Sequence, residues 1–183
     1  MSLSTPISPG RPPISSTPTG PAAHTVLTSP VGDLTLAATG TTLTGLWMER
    51  HRRPAGFDLG RADPGPFAAV RTQLEEYFVG ARTAFDVDVA PNGGPFAQRV
   101  WALLREIPYG RTCTYGDLAR RLGAPGAAQA VGAANGANPV SIVIPCHRVV
   151  GADGALTGYA GGVEVKARLL ALEQSRPDPD RLF

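Results

Sequence analysis

Residues 144–149 read Ile-Pro-Cys-His-Arg-Val and stand at the end of an apolar run that begins at Val140. Cysteine reacts as its thiolate, and a nearby imidazole base can supply that form at neutral pH. The β-branched residues before Pro145 predict a stiff, buried strand over residues 140–144 that delivers the sulfur of Cys146 to a pocket. A free cysteine is also a common small core residue, so the neighbouring motifs must decide between the two interpretations.

The composition of the chain narrows its class. A length of 183 residues allows one domain or two small ones. Two cysteines, Cys113 and Cys146, are too few for a disulfide framework and favour a reducing compartment. Because the sequence has neither a membrane-spanning apolar run nor a secretory signal pattern, we expect a cytoplasmic protein that does not enter the membrane. The dispersed histidines and cysteines lack zinc-site spacing, so we expect no metal and no cofactor.

The two ends of the chain differ from its centre. Residues 1–23 consist largely of Ser, Thr, Pro and Gly, with Arg11 as their only charge. This composition buries too little apolar surface to offset the entropy of ordering, which predicts a disordered tail. Residues 177–183 are interpreted as a short C-terminal tail.

Residues 24–90 form the first predicted folded unit, a small α/β domain. Alternating residues predict strands over 24–28, 33–38, 41–48 and 85–89, arranged as an antiparallel sheet, with a loop over 49–65. Pro66 opens a helix that Gly80 ends. Six arginines against eight acidic residues give this unit a net charge of −2, and it contains no obvious chemical motif.

Residues 91–176 form the second predicted unit, joined to the first by a Pro/Gly linker over 91–95. Nine basic against five acidic side chains give it a net charge of +4, which favours a polyanionic partner. An amphipathic helix is predicted over 96–107, and the capping-box spacing of Thr114 and Asp117 opens a second helix. A turn and a further helix over 127–136 complete a helix-turn-helix.

The second helix of that pair carries no charge and almost no side chain larger than valine. Small residues suit either close packing against neighbours or entry into a narrow minor groove, and the pattern alone does not decide. A glycine-rich loop over 156–162 follows. The last helix, over 163–174, is predicted to bury the face that carries Val163, Ala167, Leu170 and Ala171.

Several motifs of the second unit occur together in one known family. They are Tyr115 at the start of a helix, the segment AVGAANGANP over 130–139, PCHRV over 145–149, GYAGG over 158–162, and Lys166 with Glu173. In these motifs the chain closely resembles the O6-alkylguanine-DNA alkyltransferases, also called methylated-DNA–protein-cysteine methyltransferases. The resemblance implies a ribonuclease H-like α/β N-terminal domain and a mainly α C-terminal domain with a winged helix-turn-helix.

The resemblance also implies a reaction. These suicide repair proteins move an alkyl group from O6 of guanine in DNA, and from O4 of thymine, to a cysteine sulfur, once per molecule because the thioether is stable. The nucleophile matches Cys146, and the histidine that serves it through a water, oriented by a glutamate, matches His147 with Glu173. The tyrosine that supplies a hydroxyl near the base matches Tyr115, and the lysine that assists it matches Lys166.

A pocket beside the cysteine is implied for the alkylated base. The backbone N–H of Ala160 would hold O6, and the carbonyls of Cys146 and Val149 would accept from the guanine amino group. Four further residues match the pocket and its approach: Asn138, Pro145, Gly158 and Tyr159.

A base stacked in a duplex cannot reach a buried thiol, so the nucleotide must be flipped out. The resemblance implies that the second helix of the pair enters the minor groove of double-stranded DNA. We expect the protein to act as a monomer. The residues expected at the DNA are Gln129, Gly132, Ala133, Ala134, Asn135 and Arg148.

Two positions depart from the family pattern. Gln129 stands where the family has an arginine that fills the gap left by the flipped base, and Ala137 stands where many bacterial relatives have a basic residue. Both changes lower the expected affinity for duplex DNA, particularly its salt-dependent part. They leave open a preference for non-duplex substrates.

Two alternative functions are considered. A non-catalytic sensor of alkylated DNA would flip the base without transfer, but such relatives lack the nucleophile that Cys146 supplies. A cysteine hydrolase would use the Cys–His–Glu trio, but the sequence shows no obvious carbonyl-binding loop beside it.

Overall fold

The computed structural model describes residues 17–175. Its N-terminal half contains a four-stranded sheet in the order β3-β2-β1-β4, and antiparallel pairing joins the first three strands. The strands are β1 (Ala22–Ser29), β2 (Gly32–Thr39), β3 (Thr42–Met48) and β4 (Arg61–Ala62). β1 begins inside the segment predicted to be a disordered tail, and Ala23 is buried. Residues 17–21 form no helix or strand, whereas residues 1–16 of the predicted tail and the tail predicted over 177–183 lie outside the described residues.

The sheet is mixed, which corrects the prediction of an antiparallel one. The two-residue strand β4 lies in the segment predicted to be a loop and pairs with β1 in parallel. The strand predicted over 85–89 is also wrong in part, because only a single parallel bridge between Leu43 and Val89 forms there. Helix α1 (Ala68–Phe78) follows a 3-10 turn over Gly65–Phe67 and packs Val70, Leu74 and Tyr77 into the core.

The C-terminal half is mainly helical. It contains α2 (Pro95–Leu104), β5 (Cys113–Thr114), α3 (Tyr115–Arg121), α4 (Ala128–Gly136), β6 (Val149–Val150) and α5 (Val163–Gln174). The predicted capping box opens α3, since the Thr114 hydroxyl accepts from the Asp117 backbone and the Asp117 carboxylate accepts from the Thr114 backbone. The α3–turn–α4 pair confirms the helix-turn-helix, and the parallel β5–β6 pair lies with it as the wing.

One hydrophobic core runs through both halves. The chain segment that leads to Cys146 contacts β3, because the Leu46 backbone donates to the Pro139 carbonyl at 2.8 Å and the Ser141 backbone donates to the Leu46 carbonyl at 3.0 Å. The N-terminal half is therefore in direct contact with the segment that carries Cys146.

Among residues 17–175 no helix has the length and apolar character that crossing a membrane requires.

The buried face of α5 differs from the predicted one. Its buried residues are Lys166, Leu169, Leu170 and Glu173, whereas Val163 and Ala171 are exposed. The prediction assumed that charged side chains point to solvent. Lys166 and Glu173 point inward because buried polar groups of the C-terminal half bind them, as described next.

Candidate active site

Cys146 lies in a tight turn, and the strand predicted over 140–144 is wrong. Val140 and Ser141 make only isolated bridges, after which Ile142 adopts a φ of 70°. A β-branched residue in this left-handed region costs about 1–3 kcal/mol, so the surrounding packing must hold it there. Residues 146–148 then form one 3-10 turn with Cys146 only 3% exposed. The turn lets the adjacent residues His147 and Arg148 reach the same Glu173 carboxylate, whereas adjacent residues of a strand point to opposite faces.

The Glu173 carboxylate is the centre of a buried hydrogen-bond network. Its Oε1 accepts from the Tyr77 hydroxyl at 2.8 Å, from His147 Nε2 at 2.8 Å and from Arg148 at 2.9 Å. Its Oε2 accepts from Arg148 Nε at 2.9 Å and from the Gly110 backbone at 3.1 Å. We call these five residues the Glu173 network. Two oxygens with five donors leave the carboxylate no freedom to rotate.

Two pKa shifts follow from the composition of the Glu173 network. Burial alone would raise the pKa of Glu173, but the hydrogen bonds from His147 and Arg148 outweigh it and hold that pKa far below its usual value. Burial lowers the pKa of His147, against the opposing effect of Glu173. The pair at neutral pH is thus a carboxylate and a neutral imidazole.

The network also selects the tautomer of His147. A carboxylate only accepts hydrogen bonds, so His147 Nε2 must carry the hydrogen that it shares with Glu173. The other ring nitrogen, Nδ1, is buried and has no hydrogen-bond partner among residues 17–175. It is therefore a fixed base with a free lone pair, next in the chain to the nucleophile.

The sulfur of Cys146 is a thiol at neutral pH. Burial raises its pKa, and hydrogen bonds from Asn138 and Ser141 together with the charge of Lys166 only partly offset that rise. The thiolate must therefore form during the reaction, when a base removes the proton. Cys113 is a free thiol as well, and burial with Asp117 nearby raises its pKa to about 11, which suits a structural role.

Two asparagines hold the backbone around the nucleophile. The Asn138 amide donates to the Ile144 carbonyl at 2.8 Å and accepts from the Val140 backbone at 3.0 Å, closing the turn before Pro145. The Asn135 amide donates to the Cys146 carbonyl at 3.3 Å. Asn135 is buried and serves the backbone beside Cys146, and its contact with DNA stays a prediction.

Arg148 is another expected DNA contact whose side chain is buried. Its side chain is 2% exposed, pairs with Glu173, donates to the Ile107 carbonyl at 2.6 Å and lies over the ring of Tyr109. A guanidinium held on all sides in the core cannot reach a phosphate. Its charge instead stabilises the carboxylate that orients His147.

Lys166 ties the glycine-rich loop to the wing. Its buried ammonium donates to the Val149 carbonyl at 2.6 Å and to the Thr157 carbonyl at 2.9 Å. The Tyr115 hydroxyl reaches the same Thr157 carbonyl at 3.5 Å. Lys166 and Tyr115 therefore meet at one shared acceptor, the Thr157 carbonyl.

The loop over residues 156–162 covers the site. Gly161 lies directly against Met48 of β3, where a Cβ would stand 2.1 Å from the sulfur, so any other residue would force the Met48 side chain to move. Gly158 and Ala160 flank Tyr159, whose hydroxyl is buried. Burial, with the nearby Cys146 adding to it, raises the pKa of Tyr159 well above its usual value. Tyr159 and Cys146 are therefore neighbours, as expected of a pocket that ends at the sulfur.

The outer face of α4 carries the remaining expected DNA contacts. Gln129 and Ala133 are exposed, whereas Ala134 is buried and its carbonyl accepts from Trp101 at 2.8 Å. A Cβ on Gly132 would lie 3.7 Å from the Tyr115 ring, so a large side chain there would strike it. A cavity of about 720 Å³ opens at this face. It is lined by Thr114, Tyr115, Gly116, Asp117, Arg120, Ala128, Gln129, Gly132 and Ala152.

Two contributions to the site leave little signal in the sequence. Tyr77 comes from α1 of the N-terminal half, 96 residues before Glu173, and the helical apolar pattern marked it only as a core residue. Ser141 stands inside an apolar run, where a lone hydroxyl is the one signal that a buried partner exists. Within the described part of the chain, no cluster of three His, Cys, Asp or Glu side chains is arranged to hold a metal.

Comparison with known proteins covers both halves of the chain. Residues 23–91 match the ribonuclease-like domain of 6-O-methylguanine DNA methyltransferase, and residues 95–175 match its DNA binding domain. These matches confirm the predicted pair of domain types.

Individual relatives align over most of their length. The methylated-DNA–protein-cysteine methyltransferase of Mycobacterium tuberculosis is 49% identical over 157 residues, 86% of this chain and 95% of that protein. The crystal structure of the O6-methylguanine methyltransferase from the same organism matches with a TM-score of 0.80 at 48% identity, covering 87% of this chain and 96% of that one. A structure of that organism's OGT in complex with DNA matches equally well, with a TM-score of 0.80 at 49% identity over 86% and 96% of the two chains. The chain belongs to the 6-O-methylguanine DNA methyltransferase family.

Proposed function

We propose that this protein repairs alkylated DNA by direct reversal, moving the alkyl group from O6 of guanine to the sulfur of Cys146. The observation that carries the proposal is a buried thiol that is next in the chain to a neutral imidazole, whose tautomer is set by Glu173 and whose Nδ1 is free. Relatives at 49% identity carry the name methylated-DNA–protein-cysteine methyltransferase.

The transfer is a single displacement at the alkyl carbon. The thiol proton leaves toward His147 Nδ1, the S–C bond forms, and the bond between that carbon and O6 breaks. The electron pair stays on guanine, which then needs a proton. Tyr115 is positioned to donate it, because its hydroxyl makes only a 3.5 Å bond to Thr157 and can exchange that acceptor for the base. The thioether has no thiol left to regenerate, so each molecule reacts once.

The buried thiol requires the base to leave the duplex. Cys146 is only 3% exposed, so a stacked guanine cannot reach it and the nucleotide must be extruded. The slim outer face of α4, with Gly132 and Ala133, suits a helix that enters the minor groove of double-stranded DNA. O4-alkylthymine, which presents an alkylated oxygen on a smaller base, is the second expected substrate.

We expect the protein to act in the cytoplasm, as a monomer on DNA. The reaction consumes a free thiol, and a reducing compartment keeps Cys146 and Cys113 in that form.

An intact-mass measurement tests the function. The protein is incubated with a duplex that contains one O6-methylguanine, and we expect a gain of one methyl group, mapped to Cys146 by peptide analysis. Cys146→Ser should not gain it, whereas the matched control Cys113→Ser should. Unchanged mass with retained binding would instead support the non-catalytic sensor.

The exposed Gln129 supports a second possibility, a preference for single-stranded substrate. Glutamine provides neither the charge nor the reach of an arginine at the place of the extruded nucleotide. Single-turnover rates on matched single- and double-stranded oligonucleotides distinguish the two preferences.

A further inference from the structure

His51 and Ser141 form a hydrogen-bonded pair that the proposed chemistry leaves unused. The Ser141 hydroxyl lies 3.3 Å from His51 Nδ1. Ser141 is 1% exposed, whereas His51 belongs to the loop after β3 and is partly exposed. The two residues are 90 positions apart in the chain and come from different halves of the fold. The pair therefore runs from the interior of the site to the surface.

Ser141 is also a neighbour of the nucleophile. Its backbone is fixed at both ends, because its N–H donates to Leu46 at 3.0 Å and its carbonyl accepts from Val143 at 2.8 Å. Burial raises the pKa of the buried Cys146 thiol, and the Ser141 side chain is one of the groups that oppose this rise. The Ser141 hydroxyl thus has both the Cys146 thiol and the imidazole of His51 near it.

A hydroxyl between a donor and an acceptor can pass a proton in one direction. Ser141 accepts from the Cys146 thiol through an oxygen lone pair while it donates its own hydrogen to His51 Nδ1. Moving both hydrogens breaks S–H and the Ser141 O–H, and forms a new Ser141 O–H and N–H on His51. The products are a thiolate and an imidazolium, with the hydroxyl restored.

The principal base, His147, has no comparable path by which a proton could reach solvent. His147 is fully buried, its Nε2 is bound to Glu173, and Arg148 and Lys166 already place two positive charges in the same interior. A proton accepted by His147 therefore stays beside those charges. His51 is partly exposed, so a proton that reaches it can pass to water.

We propose that Ser141 and His51 form a second proton route, which carries the proton of the Cys146 thiol to solvent during alkyl transfer. The proposal rests on the proposed function. His51 and Ser141 are positioning and relay groups, while His147 remains the base beside the sulfur.

Charges around His51 are balanced. Burial lowers the pKa of His51, so its imidazole is neutral at pH 7 and able to accept. The charged side chains that line the same surface cavity are Asp33, Glu49, Arg52 and Arg53. On the interior side the pair faces Cys146, Tyr159 and Asn138, and Lys166 is the nearby charge.

Two substitutions interrupt proton transfer through Ser141 and His51 and leave His147 in place as the principal base. Ser141→Ala removes the relay hydroxyl, and His51→Asn keeps a hydrogen-bonding group near Nδ1 but cannot accept the proton. The readout is the pH dependence of single-turnover methyl transfer from a single-stranded O6-methylguanine oligonucleotide. Arg52→Gln, on the same loop, is the matched control.

We expect each variant to transfer more slowly at pH 7, by about three- to tenfold, since a parallel route contributes less than a principal general base does. The wild-type rate should rise with pH through the lowered pKa of His51, and both variants should lose that step. The double variant should be no slower than the slower single one, because both changes cut one route.

Three results would overturn the route: pH profiles of both variants that superimpose on wild type, additive losses in the double variant, or an equal loss in Arg52→Gln. Failure of wild type itself to gain a methyl group would refute the underlying function instead. Circular dichroism of each variant separates misfolding from a chemical effect.

Discussion

The Glu173 network and the outer face of α4 contrast in how their polar groups are satisfied. In the network two carboxylate oxygens accept five hydrogen bonds, and every partner side chain is buried. On the α4 face Gln129 is exposed and the neighbouring positions are alanine and glycine. Changes in the first region should cost stability, whereas a change at the exposed Gln129 should leave the fold intact and alter only what the face binds. Substitutions in the two regions should therefore differ in kind as well as in size.

The largest effect is expected for Glu173→Gln. This change leaves Arg148 buried without its counter-charge, and breaking a buried ion pair costs about 3–5 kcal/mol. It also releases His147 from its tautomer, so methyl transfer should fall by at least two orders of magnitude, as for loss of a general base. Urea unfolding and single-turnover transfer measure the two effects. A stable, active Glu173→Gln protein would show that the network is not what holds the site.

The same carboxylate predicts acid sensitivity. The folded-state pKa of Glu173 is depressed, so its contribution to stability is complete above the unfolded value of about 4.3 and is lost as the pH falls toward the folded value. Urea midpoints of wild type should therefore decrease steeply below that pH. Glu173→Gln should show a shallower decrease, and parallel curves would contradict the assignment.

Lys166→Met should have the next largest effect. Methionine fills a similar volume but loses two charge-assisted hydrogen bonds, to Val149 and Thr157, which together contribute about 2–3 kcal/mol. The glycine-rich loop should loosen, so hydrogen exchange of residues 156–162 should quicken. The exposed Arg168 of the same helix, changed to methionine, is the control and should leave exchange in that loop unchanged.

Tyr77→Phe tests whether the N-terminal half contributes to the site. The ring stays, and only the hydroxyl that donates to Glu173 is lost, at a cost of about 1–2 kcal/mol because Oε1 keeps two other donors. In a Glu173→Gln background the same change should cost less, since the charged acceptor is already gone. Equal costs in both backgrounds would assign Tyr77 to packing alone.

The smallest effect on stability and a clear effect on binding are expected for Gln129→Arg. The side chain is exposed, so the free energy of unfolding should change by less than about 0.5 kcal/mol. Affinity for duplex DNA should increase, and the slope of log K against log salt should steepen by roughly one unit for one added phosphate contact. Fluorescence anisotropy over a salt series measures this, with Gln129→Met as the uncharged control. An unchanged slope would mean that position 129 does not face DNA.

Local chemistry was enough to predict the elements that depend on neighbouring residues. The capping box of Thr114 and Asp117, the helix that follows it and the turn before α4 were found from spacing alone, because their hydrogen bonds join residues three or four apart. Cys146, His147 and Glu173 were found from motifs that resemble a known family. The buried face of α5 was predicted wrongly because hydrophobic periodicity treats Lys166 and Glu173 as surface residues.

By itself, the sequence determined the order of the helices, the candidate nucleophile Cys146 with its candidate base His147, and the glutamine on α4. Tertiary structure alone decided that Arg148 and Asn135 face inward, that Ile142 turns the chain into the site, and that Tyr77 and His51 reach it from the other half. The physical reason is the range of the contacts. A buried charge is tolerated only where partners from distant segments meet it, and no local pattern records which segments those are.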